Sequence, residues 1–221
     1  MSVETLVLSG PKGPGLHSVG MHSGGMRDAN ADPGLAEASA KAEQAARLGL
    51  WIFLATVTML FAAFTSAYLV RRGGTDWFDI PLPSVLWRNT AWLAGSSVAL
   101  EAAWYGGTRR RRGVAGTAFA MALLLGALFV QGQVLAWNAL TATGVLLPSG
   151  PHASFIYMLT GAHVAHVIAA LGVLTWGAAV TWRGTASRDP VRWSHVMGTC
   201  RTFWHFLLGV WMYVFILLSA L

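Results

Sequence analysis

The apolar positions of the chain gather in five long runs, at residues 48–70, 89–106, 114–140, 154–181 and 196–221, and the polar and helix-breaking positions lie between them. The breakers are Gly73, Gly74, Pro81, Pro83, Pro148, Pro151 and Pro190. Each run is far longer than a buried strand, and about 20 helical residues cross roughly 30 Å of hydrocarbon. The pattern therefore predicts an all-α polytopic membrane protein with five transmembrane helices, its membrane domain covering 46–221. The second run is the shortest, and Glu101 falls inside it. Residues 1–45 contain no run of spanning length and lack the basic, apolar and cleavage regions of a signal peptide, so they are expected to form an irregular cytoplasmic tail.

Composition supports a membrane location. With 55% hydrophobic and 11% charged residues, eleven Trp and ten Phe, the chain has too little polar surface to clothe a soluble globule. Charge adds orientation. A cytoplasmic N-terminus puts Lys12, Arg27, Lys41, Arg47, Arg109 to Arg112, Arg183, Arg188, Arg192 and Arg201 on the inner side, and leaves Arg71, Arg72 and Arg88 outside beside Asp76 and Asp79. N-in, C-out follows from the positive-inside bias. The net charge of +6 is then mostly a topology signal. The four-arginine run suits anionic lipid head groups, and nucleic-acid binding is not expected because no basic fold accompanies it.

Candidate chemistry rests on histidine. Cys200 is alone, which excludes an intrachain disulfide, a paired-thiolate copper site and an iron–sulfur cluster held by this chain. His17, Met21, His22 and Met26 have the spacing of a soft-metal site, but a polar low-complexity tail is the favoured account of them. His152 stands at the outer mouth of the fourth run, while His163, His166 and His205 lie deeper. At ~1.5 Å per residue, His166 is roughly 20 Å from the inner end of its helix and His205 roughly 15 Å from the inner end of the fifth. On antiparallel neighbours these two could sandwich a haem. Alternatively, each imidazole donates to a carbonyl or hydroxyl on the next helix. Gly161, Ala165, Ala169 and Gly172 or Val173 recur every three to four residues, a small-residue stripe expected to let a neighbouring backbone come close.

The segment FIYMLTGAHVAHV, residues 155–167, resembles the signature helix of subunit III of haem-copper oxidases, with its aromatic-x-L-T-G-x-H-x-x-H-V pattern. Four other segments are similar to that family in the same order: RLGLWIFLAT at 47–56, LPSVLWRNT followed by GSS within 82–97, QVLAW at 133–137 and FWHFLLGVWMYVF at 203–215. The likeness runs from Arg47 to the end of the chain, and five helices match the shorter bacterial form of the subunit. Acids common in the family are replaced by Val57, Ala136 and Leu208.

The resemblance implies an accessory subunit without a redox centre of its own, in the cytoplasmic membrane of a bacterium. Its implied partners are subunit I, which holds the haems and copper, subunit II and other respiratory-complex subunits. The family's helices form a phospholipid-binding cleft, support proton uptake and protect the active centre during turnover. On that basis Arg47, Trp51 and Tyr68 are expected at lipid, Arg47 near a phosphate. His163, His166, Trp204 and His205 are expected to make interhelical polar contacts or face the lipid cleft. Two alternatives accompany this reading: a haem-b membrane cytochrome using His163 or His166 with His205, and the related accessory subunit of a nitric oxide reductase or quinol oxidase. A transporter is disfavoured by the lack of an internal repeat or a broken helix pair.

Overall fold

The computed structural model describes residues 33–74, 83–183 and 188–220. Among the described residues there are five helices: α1 (Pro33–Arg72), α2 (Val85–Thr108), α3 (Arg112–Ala142), α4 (Pro151–Trp182) and α5 (Pro190–Ala220), with a 3-10 turn at Leu147–Ser149 before α4. No strand occurs among the described residues. Among the described residues four helices, α1, α3, α4 and α5, are long and apolar enough to cross a membrane. The fifth, α2, is not among them, because Arg88, Asn89, Ser96, Ser97 and Glu101 dilute its apolar residues within 24 positions.

Two compact units divide the chain, 1–41 and 42–221. The described part of the first is helical from Pro33, which corrects the expectation of irregular chain up to residue 45. Strong helix formers in the sequence LAEASAKAEQAA explain the early start, and Glu37 and Lys41 pair one turn apart at 2.7 Å. His17, Met21, His22, Met26, Lys12 and Arg27, like Asp76, Asp79 and Pro81, lie outside the described residues.

In the second unit α2 and α3 form the closest pair. Ser96 Oγ donates to the Ala122 carbonyl across them at 2.7 Å. At Gly106 a methyl group would stand 2.8 Å from the Ala115 nitrogen, so the two backbones are in near contact there. Helices α4 and α5 close the bundle over a core that includes Leu93, Leu100, Phe119, Phe129, Met197 and Leu207. Just past the end of α3 stands Gly144, whose φ of 83° lets the Val145 N–H reach back to the Leu140 carbonyl at 3.1 Å. Pro151 opens α4, where no backbone donor is needed.

The small-residue stripe of α4 finds no packing partner among the described residues. Ala165, Ala169 and Gly172 are exposed, and no described atom beyond the adjacent residues and α4's own nearby backbone lies within 4 Å of a methyl group placed on Gly161 or Gly172. The buried face is the neighbouring one, through Thr160, His163, Val167, Ala170, Leu174 and Gly177. The two stripes differ by about one residue, some 100° of rotation, which spacing alone does not distinguish when both consist of small or apolar residues.

Candidate functional site

Two of the three α4 histidines, His163 and His166, meet α1, which lies along α4 and α5 through a seam of rings. The His166 ring centroid is 6.2 Å from that of Phe53 and 6.0 Å from that of Phe61. His166 Nδ1 lies 2.7 Å from the Ala162 carbonyl on its own helix. A carbonyl only accepts, so Nδ1 carries the proton. His163 is fully buried, ringed by Phe61 at 6.4 Å, Phe129 at 5.7 Å and Trp211 at 5.1 Å. Neither of its ring nitrogens has a hydrogen-bond partner among the described residues. The seam continues with Phe53 against Phe203 at 5.5 Å and Tyr68 against Phe155 at 5.9 Å, and Tyr213 of α5 donates to Thr65 of α1 at 3.0 Å.

His205 turns the other way. Its Nε2 donates to Glu101 Oε1 of α2 at 2.6 Å. Glu101 also accepts two parallel bonds from Arg201, Nε to Oε1 at 2.8 Å and Nη2 to Oε2 at 2.7 Å. A bidentate arginine–carboxylate pair with a third donor on the same carboxylate is a strong, directional arrangement. The guanidinium lies over the Trp104 ring at 4.8 Å, and Trp104 stacks on Trp193 at 5.2 Å and 10°. Trp193 in turn donates to Thr181 at 3.0 Å and rests on Gly107. The triad therefore joins α2 to α5, with α4 reached through the tryptophans.

Arg201, expected with the inner-side charges between the fourth and fifth helices, stands eleven residues past Pro190, within α5. A usable signal was present. Glu101 is the one acid between Asp79 and Asp189, and Arg201 and His205 are four residues apart on one helix face. An intramembrane acid calls for a cationic or donor partner, and this pair provides both.

With His166 toward α1 and His205 bonded to α2, the structure does not bring the two imidazoles onto a shared axial position for haem. No group of three or more His, Cys, Asp or Glu side chains stands ready for a metal among the described residues.

Arg47 and Trp51 line a half-open groove of about 460 Å³ between α1 and the facing helices, together with Leu50, Trp176, His195 and Thr199. His195 Nε2 lies 3.1 Å from Glu43 at this groove. Tyr68 and Trp204 are elsewhere. Tyr68 is buried in the aromatic seam, and Trp204 is fully buried where Gly126 leaves room for its indole. Val57 and Ala136 are buried and Leu208 is half-buried, so the three positions that lack acids are filled by apolar packing.

The fold and these contacts define a polytopic helical membrane protein held by interhelical polar contacts. No family model matches the chain. It is 32% identical to subunit 3 of the cytochrome bo(3) ubiquinol oxidase of Pseudomonas aeruginosa over 175 residues, covering 76% of this chain and 80% of that one. It is 29% identical to cytochrome c oxidase subunit 3 of Corynebacterium diphtheriae, covering 76% and 84% of the two chains. With cytochrome c oxidase subunit 3 of Thermostichus vulcanus it shares 30% identity over 79% and 86%. The chain belongs to the subunit III family of haem-copper oxidases. It is an accessory membrane subunit of a respiratory oxidoreductase.

Proposed function

We propose that this chain packs on the haem- and copper-bearing subunit I of a terminal oxidase, with subunit II in the same assembly, in a bacterial cytoplasmic membrane. It supports proton uptake and protects the active centre during turnover, and it binds no redox group itself. The observation that carries this reading is the kinship with oxidase subunits 3, joined to a side-chain arrangement in which His205 is committed to Glu101 and His166 to its own helix. All five helices cross the bilayer, N-in and C-out. At ~1.5 Å per residue the 24 residues of α2 reach roughly 36 Å, enough to span. Phospholipid occupies the Arg47–Trp51 groove, with the guanidinium at a phosphate and the indole at the interface.

The test is to tag the chain, purify its complex in mild detergent and identify the other subunits by mass spectrometry. A haem-bearing subunit I should co-purify. Deleting the chain should leave the haem spectrum of the remaining enzyme intact, because no ligand is lost, while activity starts and then decays over successive turnovers. If His163→Ala, His166→Ala or His205→Ala removes a haem band stoichiometrically, the chain is a cytochrome and the accessory reading fails. The relatives' names include ubiquinol and cytochrome c oxidases, so both donors are assayed. A reporter active only outside the cytoplasm should work when fused after Leu221 and fail within the loop at 109–111.

A further inference from the structure

The Glu101–Arg201–His205 triad is complete as a set of bonds and incomplete as a surface. The side chains of Glu101, Arg201 and His205 remain 40%, 30% and 37% exposed. They do not sit at a helix end. Arg201 and His205 are eleven and fifteen residues past Pro190, roughly 16 and 22 Å along α5, and Glu101 is seven residues before Thr108, roughly 10 Å from the end of α2. In a bilayer this level is hydrocarbon. Ionised side chains there are costly even on lenient scales, and they characteristically face protein or a water-filled space. A second, independent feature marks the same side. Among the described helices α2 is the one not apolar enough to be a candidate span, yet Val98, Ala102 and Tyr105 form an exposed stripe along it beside Glu101.

The bonds also define the chemistry of what is missing. Arg201 has five N–H groups and gives two of them to Glu101. The carboxylate offers about four acceptor sites, three of which are taken by Arg201 and His205. Donors remain in excess over acceptors, so a neighbour must bring acceptors: a carboxylate, a hydroxyl or the freed carbonyl of a broken helix.

We propose that the α2/α5 face bearing Glu101, Arg201 and His205 is where this chain seats against another membrane-embedded chain of the oxidase, one that presents hydrogen-bond acceptors to the triad. This rests on the accessory-subunit reading and adds to it the face that docks. A protein occupant fits better than a phospholipid, because a head-group phosphate would have to sink to the middle of α5 to reach His205.

The experiment places a photo-crosslinking amino acid at Val98 or Ala102, with controls at Met59 of α1 and Ile168 of α4, in the complete complex in native membranes. All four positions are exposed in the isolated chain. Adducts with a protein subunit are expected from 98 and 102 and not from the controls. Ala102→Trp, which adds bulk outward without touching the fold, should lower recovery of the partner subunit by about tenfold, and Ala165→Trp on α4 should leave it unchanged. Protein adducts from 59 or 168 alone would overturn the assigned face and leave the accessory role standing. Adducts from 98 and 102 to lipid alone would overturn it in favour of a lipid-facing triad. Failure of any oxidase chain to accompany the tagged protein would remove both.

Discussion

Helices α1 and α2 divide the work of a membrane bundle in opposite ways. α1 is among the helices apolar enough to span, and it leaves Trp51, Ile52, Met59, Leu69 and Val70 exposed. α2 falls outside that group, yet it buries Leu86, Asn89, Leu93, Ser96, Ser97, Leu100, Ala103, Gly106 and Gly107. In water the more apolar helix would be the more buried. In lipid, hydrocarbon is as good a neighbour as leucine, so burial follows small residues and interhelical hydrogen bonds. The contrast is between a helix held by large rings at its edge and one held by close backbone contact and ion pairs.

Two tryptophans give the largest test of that contrast. Trp204 is fully buried against Gly126, whereas Trp51 is 65% exposed on α1. Trp204→Ala should cost about 2–3 kcal/mol, because the transfer component of a core truncation largely cancels in lipid and the cavity component remains. Trp51→Ala should stay within about 0.5 kcal/mol. Denaturant titration in mixed micelles measures both, and equal costs would break the comparison.

The ion triad comes next. Glu101→Ala leaves Arg201 and His205 without their shared acceptor. Fully buried pairs broken this way lose about 3–5 kcal/mol. With 30–40% of each side chain exposed here, about 1–2 kcal/mol is expected for the isolated chain. The double change Glu101→Leu with Arg201→Met should recover most of it, since no charge is then stranded.

Glycines repeat the contrast on a smaller scale. A methyl group at Gly107 of α2 would collide with the Trp193 indole, and Gly107→Ala should cost about 1 kcal/mol by overpacking. Around Gly49 of α1 there is open space, so Gly49→Ala should stabilise by about 0.5 kcal/mol through reduced chain entropy. Opposite signs from the same chemical change would confirm that the two helices differ in surroundings rather than in composition.

How much of this the sequence revealed depends on the kind of information each feature needs. The five apolar runs located all five helices, because length and the placement of Pro and Gly are local properties. The start of α1 was missed because helix propensity in an Ala-rich segment carries no apolar signal. Which face of α4 is buried was also missed, since adjacent stripes of small and apolar residues look alike until a partner helix is placed. The Glu101 triad depends on residues 100 positions apart. Its parts are visible as an intramembrane acid and an i,i+4 cationic pair, but their meeting requires α2 and α5 to be neighbours.

The smallest effect tests whether α1 is the loosely held element. Tyr213 of α5 donates to Thr65 of α1 at 3.0 Å, and Ser96 of α2 donates to the Ala122 carbonyl of α3 at 2.7 Å. Interhelical bonds of this kind in membranes contribute about 0.6 kcal/mol on average, so Tyr213→Phe and Ser96→Ala should lower global stability by similar small amounts. Their local consequences should differ. α1 meets α4 and α5 through the aromatic seam, and losing the Tyr213 bond there should let α1 separate more often while the rest of the bundle persists. Ser96 lies within an interface where backbones are already in near contact at Gly106, so its loss should be absorbed without local opening. Hydrogen exchange resolved by helix reads the difference. Tyr213→Phe should speed exchange in α1 by about threefold, the factor that 0.6 kcal/mol corresponds to, and leave α2 and α3 unchanged. Ser96→Ala should alter no helix selectively, and selective opening of α2 instead would show that its close packing gives it no advantage over α1.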